Sequence, residues 1–102
     1  MQNQTPFFLS RKSMQKILEL RNHHITQLYV FLVSESTRDS VKWKGVEIKK
    51  GSAVVSYRFL ANRLGNTEKI VRDGIKALES IDEIDINSIG HRFIVTIKNF
   101  KS

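Results

Sequence analysis

The most regular hydrophobic pattern in the chain begins at its middle. Ser56 is a favoured helix N-cap, and the apolar positions after it lie on one side of a short helix: Leu60, Ala61 and Leu64. Gly65 can take the left-handed backbone conformation that ends a helix. The pattern therefore predicts a helix that begins after Ser56 and ends at Gly65 or Asn66.

A second amphipathic helix is predicted directly afterwards. Thr67 can cap its N-terminus, and its apolar residues have the i, i+4, i+7 spacing of one buried face: Val71, Ile75 and Leu78. Ala61 is small where two helices would cross closely. The pattern indicates a helix-turn-helix at residues 56–81. The alternative is an ordinary pair of packed helices, which also needs a small residue and a glycine at its corner.

Further elements are predicted on both sides of this pair. Apolar residues at helical spacing indicate helices over residues 10–21 and 22–36, and residues 41–55 have an extended pattern. Apolar and polar residues alternate before and after a predicted turn at residues 87–90, which indicates a β-hairpin. We expect an α+β fold, a winged helix-turn-helix that is mainly α with a C-terminal β-hairpin wing.

The composition fits one folded domain. The 102 residues are 40% hydrophobic and 26% charged, and they include no cysteine. The lack of cysteine excludes disulfides, thiolate metal ligands and a cysteine nucleophile. The sequence has no apolar run of membrane-spanning length and no signal-peptide pattern, so we expect a cytoplasmic protein that does not bind a membrane.

The charge distribution indicates a polyanionic partner. The net charge is +7, and it lies entirely in residues 1–66, which hold eleven Lys or Arg and four Asp or Glu. Residues 67–102 hold six of each. The second helix of the helix-turn-helix therefore belongs to the neutral part of the chain. We expect residues 1–9 to be a flexible N-terminus and residues 10–102 to be a winged-helix DNA-binding domain.

The sequence resembles the winged-helix domains of phage and mobile-element replication proteins, the DnaD-like and replisome-organiser group. The likeness begins with Trp-Lys-Gly-Val-Glu-Ile-Lys-Lys-Gly at residues 43–51. It continues through the Ser-Tyr-Arg-Phe-Leu, Leu-Gly, Val-Arg, Leu-Glu and Ile-Lys-Asn-Phe segments at residues 56–60, 64–65, 71–72, 78–79 and 97–100. The chain is also similar to small winged-helix proteins of staphylococcal cassette elements that bind single-stranded DNA.

This resemblance implies a role in replication of a phage or mobile element. The implied partner is DNA, with single strands favoured over duplex, and further candidates are a replicative helicase and a second copy of the chain. The candidate DNA-binding residues are cations and aromatic residues: Lys42, Trp43, Lys44, Lys49, Lys50, Tyr57, Arg58, Arg63, Lys69, Arg72, Lys76 and Arg92.

Trp43 is the most informative aromatic residue among these candidates. It lies between Lys42 and Lys44, as a base-stacking platform beside a phosphate track would. The alternative is that Trp43 covers the edge of the core while both lysines remain in water. Tyr57 beside Arg58 could also be a base-stacking platform, but the pattern indicates this more weakly. For Phe31, Phe59 and Phe93, which lie in periodic apolar patterns, we predict core packing.

The remaining groups of histidine and acidic residues do not indicate a catalytic site or a metal site. His23 and His24 lack a third ligand at a useful spacing, so a surface pair is the favoured interpretation. Asp82, Glu83 and Asp85 could in principle bind Mg²⁺, but a solvated acidic loop is the simpler interpretation. The sequence shows no activated nucleophile, no acid–base pair and no phosphate-binding glycine motif. We expect no enzyme, no cofactor and no metal.

Three functions remain open from the sequence. The first is DNA binding through the basic N-terminal half, in replication. The second is a duplex regulator that reads bases with residues of the second helix and touches DNA with the last hairpin: Thr67, Lys69, Arg72, Lys76, His91 and Arg92. The third is a protein-interaction module whose neutral second helix docks a helicase or a second copy of the chain. The neutral second helix favours the first function. The predicted core comprises Leu28, Leu32, Leu60, Leu64, Val71, Ile75, Leu78 and Ile97.

Overall fold

The computed structural model describes residues 10–98. Its elements, in chain order, are α1 (Arg11–Glu19), α2 (His23–Glu35), β1 (Val41–Trp43), β2 (Val46–Ile48), β3 (Ser52–Val55), α3 (Tyr57–Leu64), α4 (Glu68–Ser80), β4 (Ile84–Ile89) and β5 (Arg92–Ile97). The flexible N-terminus expected at residues 1–9 lies outside the described residues, as does the end of the resembling segment at residues 99–100. The expected α+β class is confirmed.

The helix boundaries follow the predicted caps. The Ser56 hydroxyl accepts a hydrogen bond from the Phe59 amide at 3.1 Å, and the Thr67 hydroxyl accepts one from the Ile70 amide at the same distance. Gly65 ends α3 with a φ of +68°, a conformation that is unstrained only for glycine. The short connection between α3 and α4 therefore has the local chemistry that the sequence predicted.

The strands form two antiparallel sheets. β1 and β2 make a hairpin whose turn is Lys44-Gly45, with φ of +49° and +80°, as a two-residue type I′ turn requires. The other sheet has the order β3-β5-β4. β4 continues through residues 87–89 by pairing Asn87 with Ile94. The turn predicted at residues 87–90 is therefore wrong, and the connection between β4 and β5 is only Gly90-His91.

The expected separate wing at the C-terminus is not present in residues 10–98. β5 pairs with β3 from Ser52–Thr96 to Val55–Phe93, so the last hairpin is part of a three-stranded sheet. The reason is that β3 and β5 carry alternating apolar residues that face the helices together, as in the Ala53–Val95 pair. A free hairpin would leave these side chains in water.

The central strand β5 is covered on both faces. Phe93, Val95 and Ile97 point into the core formed with the helices. Ile94 points to the opposite face and is also buried, outside that core. The β1–β2 hairpin stands over this second face, since β2 and the sheet together line a cleft of about 180 Å³ that includes Ile94.

The predicted core is largely confirmed. Leu28, Leu32, Leu60, Val71, Ile75, Leu78 and Ile97 are buried in one cluster. Leu64 is wrongly predicted as a core residue, because it is half-buried and packs against the edge of the cluster. Of the three phenylalanines, Phe93 is buried, whereas Phe31 and Phe59 are half-buried at the same edge.

Glu83 is a buried charge that the sequence did not reveal. Its side chain is only 1% exposed, and its Oε2 lies 2.9 Å from the Lys16 ammonium of α1. Lys16 also donates a hydrogen bond to the Ile81 carbonyl at 2.8 Å. Burial, followed by the nearby Glu83 charge, raises the pKa of Tyr29 beside this pair, and a hydrogen bond with Ser13 opposes the shift. The expectation of a solvated acidic loop is wrong for Glu83.

Truncation of Leu78 and of Leu64 should show that the first is a core residue and that the second lies at the edge of the core. We expect Leu78→Ala to lower the free energy of unfolding by about 2–5 kcal/mol, because Leu78 is fully buried. Leu64→Ala should cost only about 1–2 kcal/mol, because its side chain is already partly in water. Urea unfolding of both variants measures the difference. Equal losses would contradict this assignment of core and edge.

Removal of the Lys16 charge should leave Glu83 buried without its partner. We expect Lys16→Met to cost roughly 1–3 kcal/mol, whereas Lys12→Met, an exposed position on the same helix, should change stability by less than about 0.5 kcal/mol. In a double-mutant cycle with Glu83→Gln, the two losses should not add. Additive losses would show that the ion pair does not couple α1 to the rest of the fold.

Candidate nucleic-acid interface

The β1–β2 hairpin separates Trp43 from one of its neighbouring lysines. Side chains alternate along a strand, so Trp43 shares a face with Val46, its cross-strand partner, and Lys42 points to the other face. Lys42 lies directly opposite Glu47 across the ladder. The Lys42 charge is therefore beside a carboxylate and does not flank the indole ring as expected.

Trp43 instead lies where the turns of two hairpins meet. The Lys44 ammonium of the β1–β2 turn is 5.1 Å from the centre of an indole ring, and the Arg92 guanidinium beside the β4–β5 turn is 5.9 Å away. Trp43 is half-buried and both cations are exposed. We call these three residues the hairpin-tip cluster. The sequence placed Lys44 beside Trp43, but only the fold brings Arg92 to it.

A second aromatic cluster lies on the helical face of the same end of the sheet. The Tyr57 and Phe93 rings are 4.8 Å apart, and the Arg72 guanidinium lies 4.9 Å from the Tyr57 ring. Phe93 follows Arg92 in β5, so the two side chains point to opposite faces. Val55 pairs with Phe93 at this end of the sheet. One face of this end therefore carries Tyr57 with Arg72, and the other carries Trp43 with Arg92.

Helix α3 carries positive charge without acidic residues. Arg58 is exposed in its first turn, and Arg63 lies over two half-buried rings, 5.3 Å from Phe31 and 5.8 Å from Phe59. Arg63 therefore covers the junction of α2 and α3, and its guanidinium remains at the surface.

The cations of α4 are largely engaged within the protein. Lys69 donates a hydrogen bond to Asp73 at 2.9 Å, and this bond holds the pKa of the Asp73 carboxyl below its usual value. Arg72 lies over Tyr57, as described above. Lys76 is exposed on the same helix, which also carries Glu68 and Glu79. The exposed face of α4 therefore presents little uncompensated charge.

Lys49 and Lys50 do not extend the hairpin-tip cluster. They follow β2 and form the turn into β3, whereas Lys44 lies at the opposite end of β2. Three strand residues separate these ends, a distance of roughly 10 Å. The four hairpin lysines that the sequence grouped together are therefore not gathered at one place: Lys44 lies beside Trp43, Lys42 lies on the opposite face, and Lys49 and Lys50 lie at the other end of β2.

Asp82 and Asp85 lie far from the hairpin tips. Asp82 pairs with Lys98 at 2.7 Å, and Asp85 lies 3.7 Å from the same ammonium. The hydrogen bond from Lys98 holds the pKa of Asp82 below its usual value and raises the pKa of Lys98. β4 separates Asp82 from the Gly90 turn by roughly 17 Å or more. The acidic segment therefore does not repel an anion bound at the hairpin-tip cluster.

The described residues offer no metal centre. His23 and His24 stack with ring centres 4.2 Å apart, and residues 10–98 contain no group of three or more side chains arranged to hold a metal ion. None of the helices in the described range is long and apolar enough to cross a membrane.

Comparison with known proteins adds no identification. No protein-family model matches the chain, and no curated protein or solved structure matches it significantly.

The electrostatic map can be tested with a generic polyanion. Glu47→Gln removes the carboxylate opposite Lys42 and should tighten heparin binding roughly two- to fivefold. Asp85→Asn makes the same change in net charge at the far end of the sheet and should have a smaller effect. Binding isotherms at one salt concentration compare the two. An equal gain would show that the polyanion responds only to net charge.

Proposed function

We propose that this protein is a cytoplasmic DNA-binding protein of the winged helix-turn-helix class, a binding protein rather than an enzyme. In this proposal it acts in the replication of a phage or mobile element, binds DNA with little sequence selectivity, and favours single strands. The observation that carries the proposal is the hairpin-tip cluster, where an accessible indole ring lies between cations from two turns.

The arrangement of elements supports the class. α3 and α4 are joined through Gly65 and a capped connection, and strands precede and follow the pair. In a helix-turn-helix the second helix enters the major groove and the first crosses the backbone. The acid-free surface of α3, with Arg58 and Arg63, suits contacts with phosphates.

The charge of α4 supports low sequence selectivity. Base reading in the major groove depends on side chains that are free to reach base edges. Lys69 is paired with Asp73, and Arg72 is held over Tyr57. Binding that depends mainly on phosphate neutralisation is strongly salt-dependent and carries little sequence information.

The resemblance to DnaD-like and replisome-organiser domains supports the placement in replication. Its longest segment, residues 43–51, runs from the end of β1 through β2 and so contains two of the three residues of the hairpin-tip cluster.

A second candidate function is docking of a protein through α4. A groove of about 310 Å³ lies between the start of α2 and α4, lined in part by Ile25, Ile70 and Gly74. The resemblance implies a replicative helicase or a second copy of the chain as the occupant. DNA binding by the other surfaces is compatible with such docking.

The proposal predicts salt-sensitive DNA binding with an order of mutant effects. Lys44→Gln with Arg92→Gln should weaken binding to a labelled single strand more than Lys69→Gln with Lys76→Gln, although each pair removes two charges. The reason is that Lys69 is already paired with Asp73. The logarithm of affinity should fall linearly with the logarithm of salt, by roughly 0.7 per phosphate contacted on a single strand.

The measurement is anisotropy of one oligonucleotide, as single strand and as duplex, across a salt series. A larger loss from the α4 pair on duplex DNA would favour the sequence-specific regulator. One duplex sequence bound on the order of 10³-fold more tightly than others would do the same. Absence of any binding at low salt would favour the protein-docking candidate.

A further inference from the structure

Trp43 is the only tryptophan in the chain, and its surroundings differ from those of every other aromatic cluster described above. Tyr57 packs against Phe93, a buried residue, with the two rings tilted by 44°, and the Arg72 guanidinium lies over the Tyr57 ring. Phe31 and Phe59 pack against the core beneath Arg63. Trp43 has no aromatic partner within the described residues, and two exposed cations lie over its ring.

We propose, building on the proposed function, that the hairpin-tip cluster is a stacking site for one unpaired DNA base. The base lies on the Trp43 indole ring and displaces a cation from it. Lys44 and Arg92 then bind the phosphates on either side of that nucleotide. The ligand class is single-stranded DNA, because a base within a duplex already has both of its faces stacked on neighbouring bases.

Replacement of the cation over the Trp43 ring by a base is favourable, because the ring and the cation each gain a stronger contact. A cation over an exposed aromatic ring is held weakly, whereas a base stacked on an aromatic side chain contributes substantially to single-strand binding. The displaced ammonium and guanidinium are strong phosphate donors. In the free protein the same cations shield the apolar indole ring from water, so the site is already arranged when the strand arrives.

Lys44 and Arg92 belong to different hairpins, and this determines where each would contact a bound strand. Lys44 belongs to the β1–β2 turn, and Arg92 pairs with Ile89 at the end of β4. A strand crossing Trp43 would therefore meet one cation from each hairpin. Glu47, which lies opposite Lys42 in the ladder, points to the other face of the β1–β2 hairpin from Trp43.

The test uses Trp43 fluorescence, which has a single source in this chain. The full chain is titrated with oligothymidylate and with an abasic oligonucleotide of equal length, which carries the same phosphates without bases. Oligothymidylate should quench the fluorescence and bind roughly 5- to 150-fold more tightly than the abasic strand. Equal affinities without quenching would overturn the stacking site.

Substitutions test whether Trp43 is the residue on which the base stacks. These variants are measured by anisotropy of labelled oligonucleotides, because replacing Trp43 removes the fluorescent residue. Trp43→Ala should reduce the affinity for oligothymidylate to that for the abasic strand and leave duplex affinity unchanged, whereas Trp43→Phe should retain part of the preference. Lys44→Gln should weaken binding more than Lys49→Gln, its matched control at the other end of β2. Thermal unfolding checks that each variant is folded, and the comparison of the two oligonucleotides on the unmodified protein does not depend on any variant.

The outcomes distinguish this inference from the proposed function. Failure of the unmodified protein to bind any DNA would overturn both. Binding that is identical for oligothymidylate and the abasic strand would overturn only the stacking site and leave phosphate-driven DNA binding in place. A preference for oligothymidylate that persists in Trp43→Ala would place the stacking elsewhere and also overturn the inference.

Discussion

The need to cover both faces of β5 determines most of this architecture. Its alternate residues Phe93, Val95 and Ile97 require the helices, and Ile94 requires cover on the opposite side. Exposure of these apolar side chains to water would cost the sheet much of its stabilisation. The helices pack against the face that carries Phe93, Val95 and Ile97, and Glu47 of the β1–β2 hairpin lies beside Ile94 on the other face.

The same requirement creates the candidate site. Once the β1–β2 hairpin lies across the sheet, its turn comes to the end of the sheet where β4 turns into β5, and Arg92 approaches Trp43. The negative charges collect elsewhere. Glu83 is buried against Lys16, and Asp82 and Asp85 share Lys98 at the opposite end of β4. The register of the β4–β5 hairpin keeps these charges apart. Asp85 lies near one end of the hairpin, and Arg92 pairs with Ile89 at the other end.

The sequence was most informative where the determinants are local. Caps at Ser56 and Thr67, the left-handed Gly65 and the helical periods depend on residues within one or two turns, and they were predicted correctly. The sequence was less informative where contacts cross between elements. The pairing of β5 with β3, the burial of Glu83 and the approach of Arg92 to Trp43 join residues that are distant in the chain. No local pattern distinguishes Glu83 from its exposed acidic neighbours, because its partner lies in α1.

The contact between Lys16 and the end of α4 also bears on the order in which the molecule assembles. Lys16 donates to a carbonyl 65 positions further along the chain. During synthesis α1 emerges before α2, α3 and α4, yet the Ile81 carbonyl and the Glu83 carboxylate that bind Lys16 appear only after all three of these helices have been made. A nine-residue helix is too short to be stable alone in water. The ion pair that joins α1 to the end of α4 can therefore form only when most of the domain exists.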